Sequence, residues 1–289
     1  MNSDRRNARE VLAFYLDAGV DTLVGEAPVD RFADEAPLSP PRETGRPDAV
    51  KAGVTGQAPR AEPAAIRAAR SGPALSGEGM ARAGAAPASP EAAIMAARDA
   101  ASTAKSLDEL RALLDAFEGC MLRATATQLV FADGNPQARV MFVGEAPGRD
   151  EDIAGLPFVG RSGKLLDQMM AAIGLDRRQV YIANVVPWRP PGNRTPTPQE
   201  TAICLPFIRR QIELAGAEIL VCLGQPSTQT LLQTREGITR TRGRWFKFEA
   251  GSRQIRALAT YHPAFLLRSP LQKRLAWRDF LALKKALTG

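Results

Sequence analysis

The amino-acid sequence predicts an α/β protein whose parallel sheet is covered on both faces. Two observations carry this. Four short apolar, mostly β-branched runs stand at Arg139–Val143, Val180–Val186, Glu218–Leu223 and Ile255–Tyr261, and stretches of helical periodicity separate them. Strands buried on both faces read as near-continuous apolar runs, and parallel neighbours need a crossover helix between them.

The elements follow in chain order. Residues 7–19 can form a short amphipathic helix, so residues 1–28 are expected to be a helical segment. Residues 29–105 are rich in Ala, Pro, Gly, Arg and Glu. Such a stretch buries too little apolar surface to offset its ordering entropy, so it reads as a linker, largely disordered. A helix is expected near its end, after Ser89-Pro90-Glu91, and residues 106–289 are expected to form the main domain. Ser106-Leu-Asp-Glu109 is a capping box opening a helix that Gly119 can end. Lys164–Ile173 places Leu165, Leu166, Met169, Met170 and Ile173 on one face, with Gly174 as the stop. Thr197-Pro-Gln-Glu200 combines a cap, a first-turn proline and a box glutamate, and Ser269-Pro-Leu-Gln272 is read by the same logic.

Composition limits the function classes. With 289 residues, 45% hydrophobic and 24% charged, the chain has room for one or two globular domains. It holds no run of eighteen apolar residues, so no membrane span is expected. Three cysteines without CxxC spacing make no disulfide framework, and no signal-peptide core is seen, so a cytoplasmic, nucleoid-associated setting is expected. The net charge of +7 is unevenly placed: Arg235–Gly289 holds thirteen Lys or Arg against Glu236, Glu249 and Asp279. A basic face of this kind suits a polyanion, although it could equally be merely solvated.

Ligands of open α/β sheets bind beyond the carboxyl ends of the strands. Here the first strand is followed by Gly144-Glu-Ala-Pro-Gly-Arg-Asp-Glu-Asp152 and then Gly155–Gly163. The second contains Asn184 and runs into Trp188–Arg194. The third gives Gly224-Gln-Pro-Ser227, and the fourth gives Tyr261-His-Pro-Ala264 with the chain's single histidine.

The strings GEAPGRDED, GLPFVGRSG, YIANVVPWRPPGNRTPTPQE and YHPAFLLR, in order between about Cys120 and the C-terminus, resemble those of the family 4 uracil-DNA glycosylases. The resemblance implies a three-layer α/β/α sandwich around a four-stranded, mainly parallel sheet. It also implies hydrolysis of the N-glycosidic bond of uracil in single- or double-stranded DNA, the first step of base excision repair. Residues 1–105 lie outside it. They are expected to reach a repair or replication partner at most, and the chain is expected to be a monomer.

The chemistry can be argued beside that likeness. Breaking the bond leaves an oxocarbenium-like sugar and a uracil anion. Glu145 suits placing the water and favouring the cationic sugar, unless it is only a solvated loop glutamate. His262, as a neutral imidazole, suits donation to uracil O2, the alternative being a core histidine bonded to a carbonyl. Asn184 can accept from N3–H and donate to O4, the reverse of what cytosine presents, the alternative being only a turn bond at the strand end, and the family has its uracil-reading asparagine here. From the resemblance, Phe158 is expected to stack on the base, with Ala146 also at the base. Gly144 and Gly148 are expected to let main-chain N–H groups approach the base, and Gly160 and Gly163 a phosphate, with Ser162 beside them. Arg268, Lys273 and Arg274 are candidate DNA-backbone contacts.

The chain departs from the family in its cysteines. Family 4 enzymes usually hold a [4Fe–4S] cluster on four, of which Cys120 and Cys204 remain, while Phe117 and Trp188 stand at the other two places. A cluster normally needs four thiolates, so none is expected, and no metal cofactor. Cys222 reads as core. A branch of the family that traps DNA covalently uses a further histidine, absent here, so ordinary turnover is expected. Val24-Gly-Glu-Ala-Pro28 repeats Val143–Pro147 without the glycine and acidic run that follow, and reads as coincidence or a docking peptide. Two rival readings are a nuclease with Mg²⁺ on Glu145, Asp150, Glu151 and Asp152, and a non-catalytic protein that binds uracil or abasic DNA.

Overall fold

The computed structural model describes residues 89–288. The expected helical segment at 1–28, the linker up to residue 88 and the repeat at Val24–Pro28 lie outside these residues. All four expected strands are present: β2 (Val140–Gly144), β3 (Val180–Asn184), β4 (Ile219–Leu223) and β6 (Arg253–Thr260). They lie parallel in the order β3-β2-β4-β6. The sheet has six strands, not four. A two-residue β1 (Asp133–Gly134) and β5 (Trp245–Ala250) add antiparallel edges next to β3 and β6.

Each central strand sends alternate side chains to opposite faces. From β2, Met141 and Val143 enter one apolar cluster and Val140 and Phe142 the other; from β4, Leu220 and Cys222 oppose Ile219, Val221 and Leu223. Full burial of one such side chain contributes roughly 1.5–3 kcal/mol. This two-sided demand is why the strands read as continuous apolar runs.

One face is covered by α1 (Pro90–Thr103), α2 (Leu107–Ala116) and α6 (Pro198–Ala215). The other is covered by α5 (Arg161–Ala171), α9 (Pro263–Arg268) and α10 (Lys273–Thr288). The remaining helices are short: α3 (Leu122–Thr125), α4 (Arg149–Ala154), α7 (Gln225–Leu232) and α8 (Ile238–Thr241). The result is a three-layer α/β/α sandwich.

Sequence caps start several helices. Ser89 Oγ accepts from Ala92 N at 3.2 Å, and Ser106 Oγ from Glu109 N at 3.2 Å. Thr197 and Glu200 form a reciprocal capping box, with Thr197 N donating to Glu200 Oε2 at 2.7 Å. Helix α5 buries the five residues expected of it apart from Ile173, which is buried just beyond its end.

Three local expectations need correction. Helix α1 buries Ala93, Ala97 and Ala101 against α6, and Arg210 donates to Ala104 O at 2.6 and 3.0 Å, so the packed body extends N-terminal of residue 106. Helix α2 stops at Ala116, before Gly119, because Phe117 turns extended and its ring packs edge-on against Phe207. Ser269 makes no side-chain cap: a 3₁₀ turn at Pro270–Gln272 intervenes, and α10 begins only at Lys273.

The end of β6 is pinned from α10. Asp279, fully buried, accepts from Thr260 Oγ1 at 2.7 Å and from the Arg242 guanidinium, which also donates to Leu275 O at 2.8 Å. That network fixes the strand two residues before His262.

Candidate active site

A cavity of about 200 Å³ opens at the carboxyl ends of β2, β3 and β6. Gly144 and Asn184 are register partners across the β2–β3 ladder. The pairing continues past the strands, with Val185 N donating to Gly144 O and Val186 N to Glu145 O, both at 3.0 Å. Glu145 and Asn184 are therefore placed by sheet hydrogen bonds and not by a free loop. Both side chains line the cavity, and Glu145 Oε1 and Asn184 Oδ1 are buried with no hydrogen-bond partner among the described residues. Burial holds the Glu145 carboxyl above the usual carboxylate range. A buried acceptor left unpaired is costly, which makes two of them in one cavity a mark of function.

His262 reaches the same cavity as the N-cap of α9. Its Nδ1 accepts from Ala264 N at 3.1 Å, which assigns the ring proton to Nε2. Burial, with Arg268 adding to it, pushes the imidazole down to about 4, so the ring is neutral near pH 7. The Phe158 ring packs beside it in the cavity lining, 5.4 Å from His262 between centroids and tilted 31° to it. Phe158 has φ 56°, a left-handed conformation that costs a bulky residue of the order of 1–3 kcal/mol.

The structure brings together Glu145, Ala146, Gly148, Phe158, Ser162, Asn184 and His262, all lining this cavity. Gly144 lies directly behind it, and a Cβ there would sit 2.4 Å from Asn184 Oδ1 and 2.7 Å from Phe158 Cζ. Three glycine roles are corrected. Gly148 N and Gly160 N donate to Glu151, at 3.1 and 2.9 Å, and so do not point at base or phosphate. Gly163 is buried and lines no cavity. Its missing side chain makes room for the Phe158 carbonyl, which a Cβ would approach to 1.7 Å.

A wider groove of about 470 Å³ continues outward and shares Gly148, Ser162 and Ala264 with the first cavity. Arg268 lines it, as do Arg149 and Arg161, which sequence reasoning missed although they open helices directly after the site glycines. Lys273 and Arg274 lie outside both cavities, in the first turn of α10. The turn Pro190–Asn193 and the following Arg194-Thr195-Pro196 form the remaining rim. Their sequence was visible, but nothing local told that it folds back over the base side.

The acidic run does not converge on a metal. Glu151 accepts from the main chain of Gly148, Val159 and Gly160, and Asp152 accepts from Thr127 N and Oγ1, both at 2.8 Å. Among the described residues no cluster of three or more His, Cys, Asp or Glu is placed to hold a metal ion. Nor do the residues fit an iron–sulfur cluster. Cys120 and Cys204 are free, buried thiols in one apolar cluster, Phe117 packs on Phe207, and Trp188 is buried in the same cluster. Two thiols do not supply the four such a cluster takes.

Fold and site thus define a three-layer α/β protein with a small polar slot at the strand ends, opening onto a groove that Arg149, Arg161 and Arg268 line with Asp150 and Glu151. Residues 131–281 match the uracil DNA glycosylase superfamily, and the chain belongs to that family. It is 41% identical to the type-4 uracil-DNA glycosylase of Archaeoglobus fulgidus over 180 residues, 61% of this chain and 90% of that one. The type-4 enzyme of Sulfurisphaera tokodaii is 39% identical, over 62% of this chain and 84% of its own. The type-4 enzyme of Thermotoga maritima is 42% identical, over 52% and 77%.

Proposed function

We propose that this protein is a uracil-DNA glycosylase, hydrolysing the C1′–N1 bond of deoxyuridine in DNA to free uracil and an abasic site. The observation that carries the mechanism is the pair of buried, unpartnered acceptors, Glu145 Oε1 and Asn184 Oδ1, facing one cavity with a neutral His262. Uracil extruded from DNA enters the slot with its ring against Phe158. Asn184 Oδ1 accepts from N3–H, and the amide NH₂ donates to O4, a pattern that cytosine cannot complete. As the bond stretches, electrons pass to N1 and O2, and His262 Nε2–H donates to O2 as its charge grows. The Glu145 carboxylate, lacking a counter-charge before reaction, gains one as the sugar becomes cationic. It also orients the water that adds to C1′, and the proton this water releases ends on N1 of the uracil anion.

Arg149, Arg161 and Arg268 line the adjoining groove, and in this reading they hold phosphates next to the extruded nucleotide. Extrusion costs a few kcal/mol, least for single strands and mispairs, so uracil in those contexts reacts faster. Each fragment is stabilised by a side chain, so the reaction as drawn needs no metal and no iron–sulfur cluster. The test is a uracil-containing labelled oligonucleotide incubated with the protein in EDTA and then treated with alkali. Scission at the uracil, with none in control DNA, is the expected result, and intact substrate would overturn the proposal.

A further inference from the structure

The strained backbone of Phe158 is held from outside the pocket. Arg177, in the 3₁₀ turn just before β3, lines neither cavity. Its Nη2 donates to Phe158 O, and its Nη1 donates to Pro157 O at 3.2 Å. The guanidinium is itself fixed by Asp167, which accepts from Nε at 2.8 Å, and by Asp133 of β1. Gly163 leaves the space that the Phe158 carbonyl occupies, and Glu151 accepts from Val159 N and Gly160 N at 3.1 and 2.9 Å. The peptide after the ring is therefore held at both its carbonyl and its N–H.

We infer that Arg177 is a positioning residue for base recognition: by forking onto the carbonyls of Pro157 and Phe158 it keeps Phe158 left-handed and its ring against the slot. A planar guanidinium suits this task, because it presents donors to two carbonyls and two carboxylates at once, which an ammonium cannot do. The inference rests on the reading of Phe158 as the wall on which uracil stacks.

A double-variant cycle on the full chain tests it. Arg177→Ala, Phe158→Ala and their combination are assayed for kcat/KM on uracil-containing DNA and for inhibition by free uracil, at a temperature where circular dichroism shows each folded. Each single variant is expected to lose roughly five- to a hundredfold in kcat/KM, the range of one lost base–aromatic stack, with inhibition by uracil weakened in parallel. The combined variant is expected to be no worse than Phe158→Ala alone. Additive losses would overturn the inference, since Arg177 would then act through general stability. An undiminished Phe158→Ala protein would overturn the stacking reading and the inference with it. Should Arg177→Ala fail to fold, Arg177→Lys keeps the charge between Asp133 and Asp167 but loses the fork. It is expected to fall at least about threefold on the native background and not at all in Phe158→Ala. Native activity in Arg177→Lys, or an equal fall on both backgrounds, would overturn the inference.

Discussion

Replacing His262 by alanine slows the reaction and has two effects on stability of opposite sign, which pH separates. The imidazole donates to the reacting base and, through Nδ1, caps α9 at Ala264 N. Loss of one such donor lowers kcat by about 10²–10³. Loss of the cap costs about 1 kcal/mol at pH 7.5. Burial, with Arg268, holds the folded-state imidazole down at about 4, against an ordinary value of 6.5. The unfolded chain therefore takes up a proton that the folded chain refuses. Stability from this residue is complete above pH 6.5 and declines as pH falls, by about 2 kcal/mol at pH 5 and about 3 kcal/mol at pH 4. His262→Ala escapes that decline. The variant is thus less stable than the native protein at pH 7.5 and more stable at pH 4, the two curves crossing between pH 6.5 and 5. Urea denaturation at five pH values, beside single-turnover cleavage at pH 7.5, measures both effects. An offset in stability that stays constant with pH, or a rate within tenfold of native, would refute the reasoning.

Glu145→Gln removes a half-buried carboxylate whose Oε1 has no partner, so it is expected to raise Tm by roughly 2–4 °C per kcal/mol relieved at pH 7.5, while lowering kcat by about 10²–10⁴. Because the folded carboxyl binds its proton more tightly than the unfolded one, the native protein suffers least at low pH, and the gain in Tm shrinks as pH drops toward 4. Gly144→Ala would push a Cβ between Asn184 Oδ1 and Phe158 Cζ. Overpacking of about 1–3 kcal/mol is expected, with free uracil losing its ability to inhibit, as calorimetry and competition assays would report. Removing both Arg161 and Arg268 is expected to raise KM, leave kcat unchanged, and lower the slope of log KM against log salt by about two, one per lost phosphate contact.

The sheet was legible because each central strand must be apolar on both faces. The sites at the strand ends were legible because Glu145, Asn184 and His262 directly follow or end those strands. Strand β5 was missed, although Phe246, Phe248 and Ala250 alternate with Trp245, Lys247 and Glu249 and the Gly251-Ser252 turn closes a hairpin. Its basic neighbours drew the reading toward a charged face. Helix α1 is legible after Ser89-Pro90-Glu91, but its packing is not, because alanines carry little apolar signal one by one. Only the fit of Ala93, Ala97 and Ala101 against α6 makes them core. The job of Gly163 and the reach of Arg177 depend on neighbours that are distant in sequence or fixed only by tertiary packing, and no local pattern encodes them.

The register between Gly144 and Asn184 carries a consequence for fidelity. The amide proposed to tell uracil from cytosine is anchored by the interstrand ladder at the centre of the molecule, not by a mobile flap. Slippage there would turn β3 inside out, so discrimination cannot erode gradually on warming. Selectivity should stay flat up to the melting transition and then vanish together with the fold.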